Sequence, residues 1–121
     1  MIDKQVFQKR IYAYIIKLLK FLSVLPKDPV RREIVSQLTR SGTSVGANYF
    51  EAKGASSKKD YQNYFHHSLK SANESKFWLK VLSDSDLVPA NLNAECDWLT
   101  KETGELASIF ASSIITMKNK K

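Results

Sequence analysis

Apolar residues recur at intervals of three and four along nearly the whole chain, the spacing of one face of an α-helix. Over VFQKRIYAYIIKLLKFLSVLP the series is Phe7, Ile11, Tyr14, Ile15, Leu18, Leu22 and Leu25, and Pro26 closes it. A second series runs Val30, Ile34, Leu38, Ser41 with Gly42, Val45, Tyr49 and Ala52. It opens on Asp28 as an N-cap with Pro29 at the first helical position, where a missing N–H costs nothing. Gly54 stands where a C-terminal stop is expected. In the polar stretch ASSKKDY, Ser57 and Asp60 have the spacing of a capping box. The third series is Tyr61, Phe65, Ser68, Ala72, Ser75, Leu79 and Leu82. The fourth follows Pro89 through Leu92, Cys96, Leu99, Thr103, Leu106, Phe110, Ser113 and Met117, then frays into the polar tail KNKK from about residue 118. Four helices with short connections predict one all-α domain over residues 1–121, an antiparallel up-down-up-down four-helix bundle.

The segment RSGTSVGANYFEAKG holds three of the chain's four glycines. A phosphate-cradling P-loop needs Gly-Lys-Ser/Thr, whereas Gly46 is followed by Ala47 and Asn48. A membrane G-x-x-x-G contact needs about twenty apolar residues, and Arg40 and Glu51 flank this one. The segment lies instead inside the second helical series. A glycine there costs roughly 1 kcal/mol relative to alanine, so Gly42 and Gly46 are expected at a close helix contact that compensates. Asn48 and Glu51, spaced i and i+3, and Glu74, between Ala72 and Ser75, are polar groups placed to hydrogen-bond to another helix or to present a binding site. The first helix is apolar around much of its circumference, with Ile15, Ile16, Leu18, Leu19, Phe21 and Leu22 adjoining. Such a helix is buried on more than one side; self-association is expected to supply the second side, in preference to a membrane surface on which its basic residues and large apolars could also lie, and no membrane partner is expected.

Composition adds compartment and charge. The single cysteine, Cys96, permits no intramolecular disulfide, and MIDKQVFQKR lacks the basic-then-apolar order of a signal peptide, so a cytoplasmic protein is expected. The net charge is +7 and uneven: Met1 to Leu82 carry 15 Lys and Arg against 6 Asp and Glu, Ser83 to Lys121 4 against 6. That excess suits a polyanion or, as a lysine-rich coat, solubility alone.

No catalytic set accompanies it. His66 and His67 are adjacent, hence about 100° apart on a helix, and poorly placed to share a metal ion. Neither has a Glu three residues earlier, where Asn63 and Tyr64 stand, as di-iron bundles require. The nearest preceding arginine, Arg40, is too distant for the Arg-polar-His pattern of helical ribonucleases. Neither cofactor nor small-molecule substrate is indicated.

The segments QLTRSGTSVGANYFEAKGASSKKDY, SLKSANESKFWLKVLSDSDLV and KETGELASIFASSIITMK resemble the bacterial four-helix-bundle family of intervening-sequence, or S23-like, proteins. The resemblance is carried by Ser44, Gly46, Asn48, Glu51, Ala52, Ser57, Glu74, Trp78 and Leu79; Ser71 stands where relatives often have a second Glu. It implies an antiparallel bundle without catalytic residues, encoded within or outside ribosomal RNA genes and assembling as a ring-like homopentamer. A related branch accompanies the reverse transcriptases of diversity-generating retroelements and contacts nucleic acid through a basic surface. The expected function is therefore that of an oligomeric accessory protein presenting Arg31, Arg32, Arg40, Lys53, Lys58 and Lys59 to phosphates. The alternative is a self-assembling scaffold that binds an acidic protein partner.

Overall fold

Three of the four helices begin on a side chain that accepts the first free amides. Asp3 Oδ1 accepts from the amides of Gln5 and Val6 (2.9 and 3.1 Å), Asp28 Oδ1 from that of Arg31 (3.0 Å), and Ser57 Oγ from that of Asp60 (3.0 Å). In the computed structural model, which describes residues 3–120, these caps start α1 (Lys4–Ser23), α2 (Pro29–Glu51) and α3 (Lys58–Asp84). The last helix, α4 (Asn93–Asn119), has no side-chain cap and is entered through the 3-10 turn Ala90–Leu92. It extends through Asn119, so Lys118 and Asn119 of the expected frayed tail are helical; Lys121 lies outside the described residues.

The ends of α2 and α3 stop by different means than expected. Gly54 does not adopt a left-handed conformation; α2 gives way to a 3-10 turn over Ala52–Gly54 instead. The left-handed residue is Asp86, at φ 56°. Its amide donates to Ser83 O (3.2 Å) and that of Leu87 to Leu82 O (3.0 Å), the paired bonds of a Schellman ending on α3. Because an L side chain pays for this conformation and glycine does not, Asp86→Gly is expected to raise stability by about 0.5–1 kcal/mol. Urea denaturation measures it; an unchanged midpoint overturns it.

Among the described residues the fold is all-α, an antiparallel up-down-up-down bundle with α3 packed along both α2 and α4. Phe7, Tyr49, Phe65 and Phe110, one ring from each helix, meet at centroid distances of 5.2 to 6.2 Å and close one end of the core. Farther along, α2 and α3 approach through small residues. Ser75 Oγ donates to Ser41 Oγ (2.9 Å) and Ser68 Oγ to Val45 O (2.9 Å), which satisfies hydroxyls on the inward stripe. Between α1 and α4, the Tyr14 hydroxyl meets Thr103 Oγ1 at 2.6 Å, and burial pushes the Tyr14 phenol up to about 12.

Gly42 and Gly46 lie where α1 crosses α2. A Cβ at Gly42 would fall within 3.0 Å of Leu18 Cδ2, and one at Gly46 within 3.0 Å of Ile15 Cδ1 and 3.2 Å from Ile11 Cγ2. The contact is with aliphatic branches of α1. Ile15 is thereby partly used within the monomer, while Val6, Tyr12 and Leu19 remain exposed. Val30, expected on the inward stripe, is 59% exposed: the first turn of α2 turns Arg31, not Val30, toward the α3–α4 connection.

Candidate nucleic-acid interface

In an antiparallel bundle, the starts of α1 and α3 and the finishes of α2 and α4 share one end. The six cations assigned from sequence therefore do not form one surface. Arg31 and Arg32 open α2, whereas Lys53 follows its finish and Lys58 and Lys59 open α3. At 1.5 Å per helical residue the two groups are roughly 30 Å apart.

Two of the arginines hold the fold together. Arg31 Nη1 pairs with Asp28 Oδ2 (2.5 Å), and its Nε donates to Leu87 O (2.9 Å), tying the start of α2 to the α3–α4 connection. The amide and guanidinium of Arg31 hold the Asp28 carboxyl below the usual carboxylate range. Arg40 Nη2 bonds to Glu74 Oε2 and to Gln37 Oε1 (3.1 Å), and Trp78 Nε1 donates to the same Glu74 oxygen (3.2 Å). Arg31→Ala is therefore expected to lower stability by about 1 kcal/mol through the lost Leu87 bond, while exposed Arg32→Ala leaves it unchanged. Equal melting temperatures for the two variants would count against this division.

The polar pair on α2 does not reach another helix. Asn48 Nδ2 donates to Ser44 O (2.9 Å) on its own helix, and Glu51 is exposed with no hydrogen-bond partner among the described residues. Back-bonding to the preceding turn competes with a cross-helix contact and wins here because it needs no second helix within reach. Of the three polar groups, Glu74 alone cross-links helices, through Arg40. His66 and His67 are both exposed on α3, and among the described residues no three His, Cys, Asp or Glu side chains converge as metal ligands. Among the described residues no helix is long and apolar enough to cross a membrane.

The end shared by Lys53, Lys58 and Lys59 gathers further cations that sequence order had kept apart: Lys4 from α1, Lys118 from α4, and Lys120 just beyond it. Among the described residues none of these six lysines is in an ion pair. Two of the three nearby acids are occupied by caps. Asp3 serves the first amides of α1, and Asp60 Oδ2 accepts from Ser56 N and Oγ (2.9 and 3.2 Å), one residue before the reciprocal partner a capping box would use. The opposite end mixes Lys20, Lys27, Arg31, Arg32 and Lys80 with Asp28, Glu33, Asp84, Asp86, Glu95 and Asp97. Lys4, Lys118 and Lys120 lie far from the α2–α3 connection in sequence, and the antiparallel topology is what brings them beside it.

At this basic end a cleft of about 500 Å³ opens between α1, the finish of α2 and the start of α3. Lys4, Gln8, Tyr49, Lys53, Ser57, Lys58 and Tyr61 line it, with no acidic side chain among them. Lys53 Nζ lies 4.9 Å from the centroid of the Phe50 ring, a cation–π contact with a residue outside the cleft lining.

A solved structure described as a protein with unknown function from the S23 ribosomal protein family of Bacteroides thetaiotaomicron VPI-5482 is similar to this chain. Identity is 28% and the TM-score 0.76, over 88% of this chain and 96% of that one. No curated protein matches the sequence. The family described as 23S rRNA-intervening sequence protein matches residues 3–111, a span that takes in α1, α2, α3 and most of α4; the chain belongs to that family.

Proposed function

We propose that the protein is a non-enzymatic, cytoplasmic accessory protein that assembles with itself and binds the phosphate backbone of RNA or DNA through the lysine-rich end of its bundle. The observation that carries this reading is the convergence of Lys4, Lys53, Lys58, Lys59, Lys118 and Lys120 at the end where α1 and α3 begin. None is paired with an acid among the described residues, so each is available to displace a counterion from a polyanion. Arg31 and Arg40, committed to Asp28, Leu87 and Glu74, contribute little to this surface, and Arg32 lies at the far end. The partner is recognised by charge rather than by base.

Self-association is supported by Val6, Tyr12 and Leu19, exposed on α1, and by a groove at the Leu19 end of that helix where Leu19, Leu22, Leu25, Pro26 and Val35 are edged by Lys27 and Arg32. A homopentamer, the assembly suggested by family resemblance, would repeat the basic end around a ring and multiply weak phosphate contacts. Light scattering at micromolar concentration is expected to give a multiple of 13.8 kDa; a single-chain mass rejects the assembly.

Titration of duplex and single-stranded oligonucleotides over a series of salt concentrations tests the binding. Lys53→Ala with Lys59→Ala is expected to weaken all sequences alike and flatten the log affinity against log salt slope by roughly 1–2. Arg31→Ala with Arg32→Ala is expected to leave the slope unchanged. Absence of binding even at low salt turns the reading to a scaffold for an acidic partner protein.

A further inference from the structure

We infer that the cleft at the basic end is a phosphate subsite, in which Lys4 and Lys58 supply the charge and the Tyr49 hydroxyl donates a directed hydrogen bond. The inference rests on the reading of that end as a nucleic-acid surface and says where on it one backbone phosphate is held.

Tyr49 sets this cleft apart from a merely basic patch. The residue is only 6% exposed, its ring fixed by edge contacts with Phe7, Phe50 and Phe110 and a tilted contact with Phe65. A tyrosine so enclosed usually finds a partner for its hydroxyl, as Tyr14 does in Thr103. Tyr49 makes no hydrogen bond through its hydroxyl among the described residues; that hydroxyl is open to solvent rather than sealed in the core, and the residue lines the cleft. Burial, with a smaller contribution from Tyr61, pushes its phenol above the ordinary range, so near neutral pH it is an O–H donor.

Ser57 and Lys58, at the start of α3, line the same space, and Lys59 follows them. Ser57 Oγ already accepts from the Asp60 amide, which leaves its own O–H to donate. The amides of Lys58 and Lys59, the first two of α3, have no protein acceptor among the described residues. Ammonium groups, hydroxyls and helix-start amides around one opening match the several acceptor oxygens of a phosphate. At about 500 Å³ the cleft is larger than a lone ion requires.

Tyr49→Phe removes the donor and keeps the ring. Oligonucleotide affinity is expected to fall roughly two- to tenfold with no change in salt slope, since no charge is lost. Lys58→Ala is expected to reduce the slope by about 0.7–0.9. Inorganic phosphate, titrated at constant ionic strength, is expected to shift the Lys58 and Lys59 amide resonances saturably, and less readily in Tyr49→Phe. The melting temperature of Tyr49→Phe is expected to equal that of the parent; a lowered one would show the hydroxyl to be engaged by the protein and overturn the subsite. Oligonucleotide binding and phosphate shifts unaffected by Tyr49→Phe would overturn the subsite and leave the basic surface standing. Saturable, Tyr49-dependent phosphate shifts without oligonucleotide binding would uphold the subsite and remove the nucleic-acid reading. Neither effect would remove both.

Discussion

Gly46→Leu is expected to destabilise the bundle by about 1–3 kcal/mol through overpacking, and Gly42→Leu by at least as much. Both glycines receive side chains of α1, but the receiving spaces differ. At Gly42 the intruding atom is Leu18 Cδ2, and Leu18 is 0% exposed, so a new Cβ leaves it no free direction. At Gly46 the nearest atom is the tip of Ile15, a half-buried residue that can swing toward solvent; behind it stands Ile11 Cγ2 on a fully buried, β-branched side chain. Alanine separates these effects. It recovers roughly 1 kcal/mol of helix propensity at either position, so Gly46→Ala comes out near neutral while Gly42→Ala is net destabilising. Thermal or urea unfolding of the four variants measures this, and unchanged midpoints for both leucine variants would refute the close contact.

The helical period was readable because it does not distinguish apolar from small polar residues on the buried face. Ser41, Ser68, Ser75 and Thr103 were placed on inward stripes by spacing alone, and each is buried with its hydroxyl satisfied. What spacing could not convey is which surface residues end up adjacent. The assigned cations run from the start of α2 to the start of α3 and so divide between the two ends of the bundle, whereas Lys4 and Lys118, 114 positions apart in sequence, share an end. Asn48 fails for a local reason, since its amide is satisfied within its own helix. The Tyr49 hydroxyl was hidden by its ring, which reads as one more apolar position on the stripe. One long-range pair did leave a signal: Glu102 lies on the inward run between Leu99 and Leu106, and Arg10 lies between Phe7 and Tyr14. A charge at such a position needs a partner, though the spacing does not say which.

That partner is the basis of the other large effect. Arg10 Nε donates to Glu102 Oε2 (2.8 Å) and its Nη2 to Glu102 Oε1 (2.7 Å), a two-pronged bridge from α1 to α4 that Glu105 Oε1 joins at 3.2 Å. Side-chain exposure is 30% for Arg10 and 11% for Glu102, so the carboxylate is the group that depends on the bond. The Glu102 contact raises the guanidinium pKa further, and Arg10 stays charged throughout the working range. Arg10→Ala strands Glu102 and is expected to cost about 2–4 kcal/mol, at or below the range for breaking a buried pair because water reaches the arginine side. Arg10→Lys recovers only part of this, since an ammonium cannot match both oxygens at once. Replacing both partners, Arg10→Met with Glu102→Met, removes the stranded charge and is expected to cost less than Arg10→Ala alone. Urea denaturation of Arg10→Met, Glu102→Met and the double variant decides it: simple additivity of the two single losses would mean that the bridge carries no coupling and that Glu102 is stabilised by something other than Arg10.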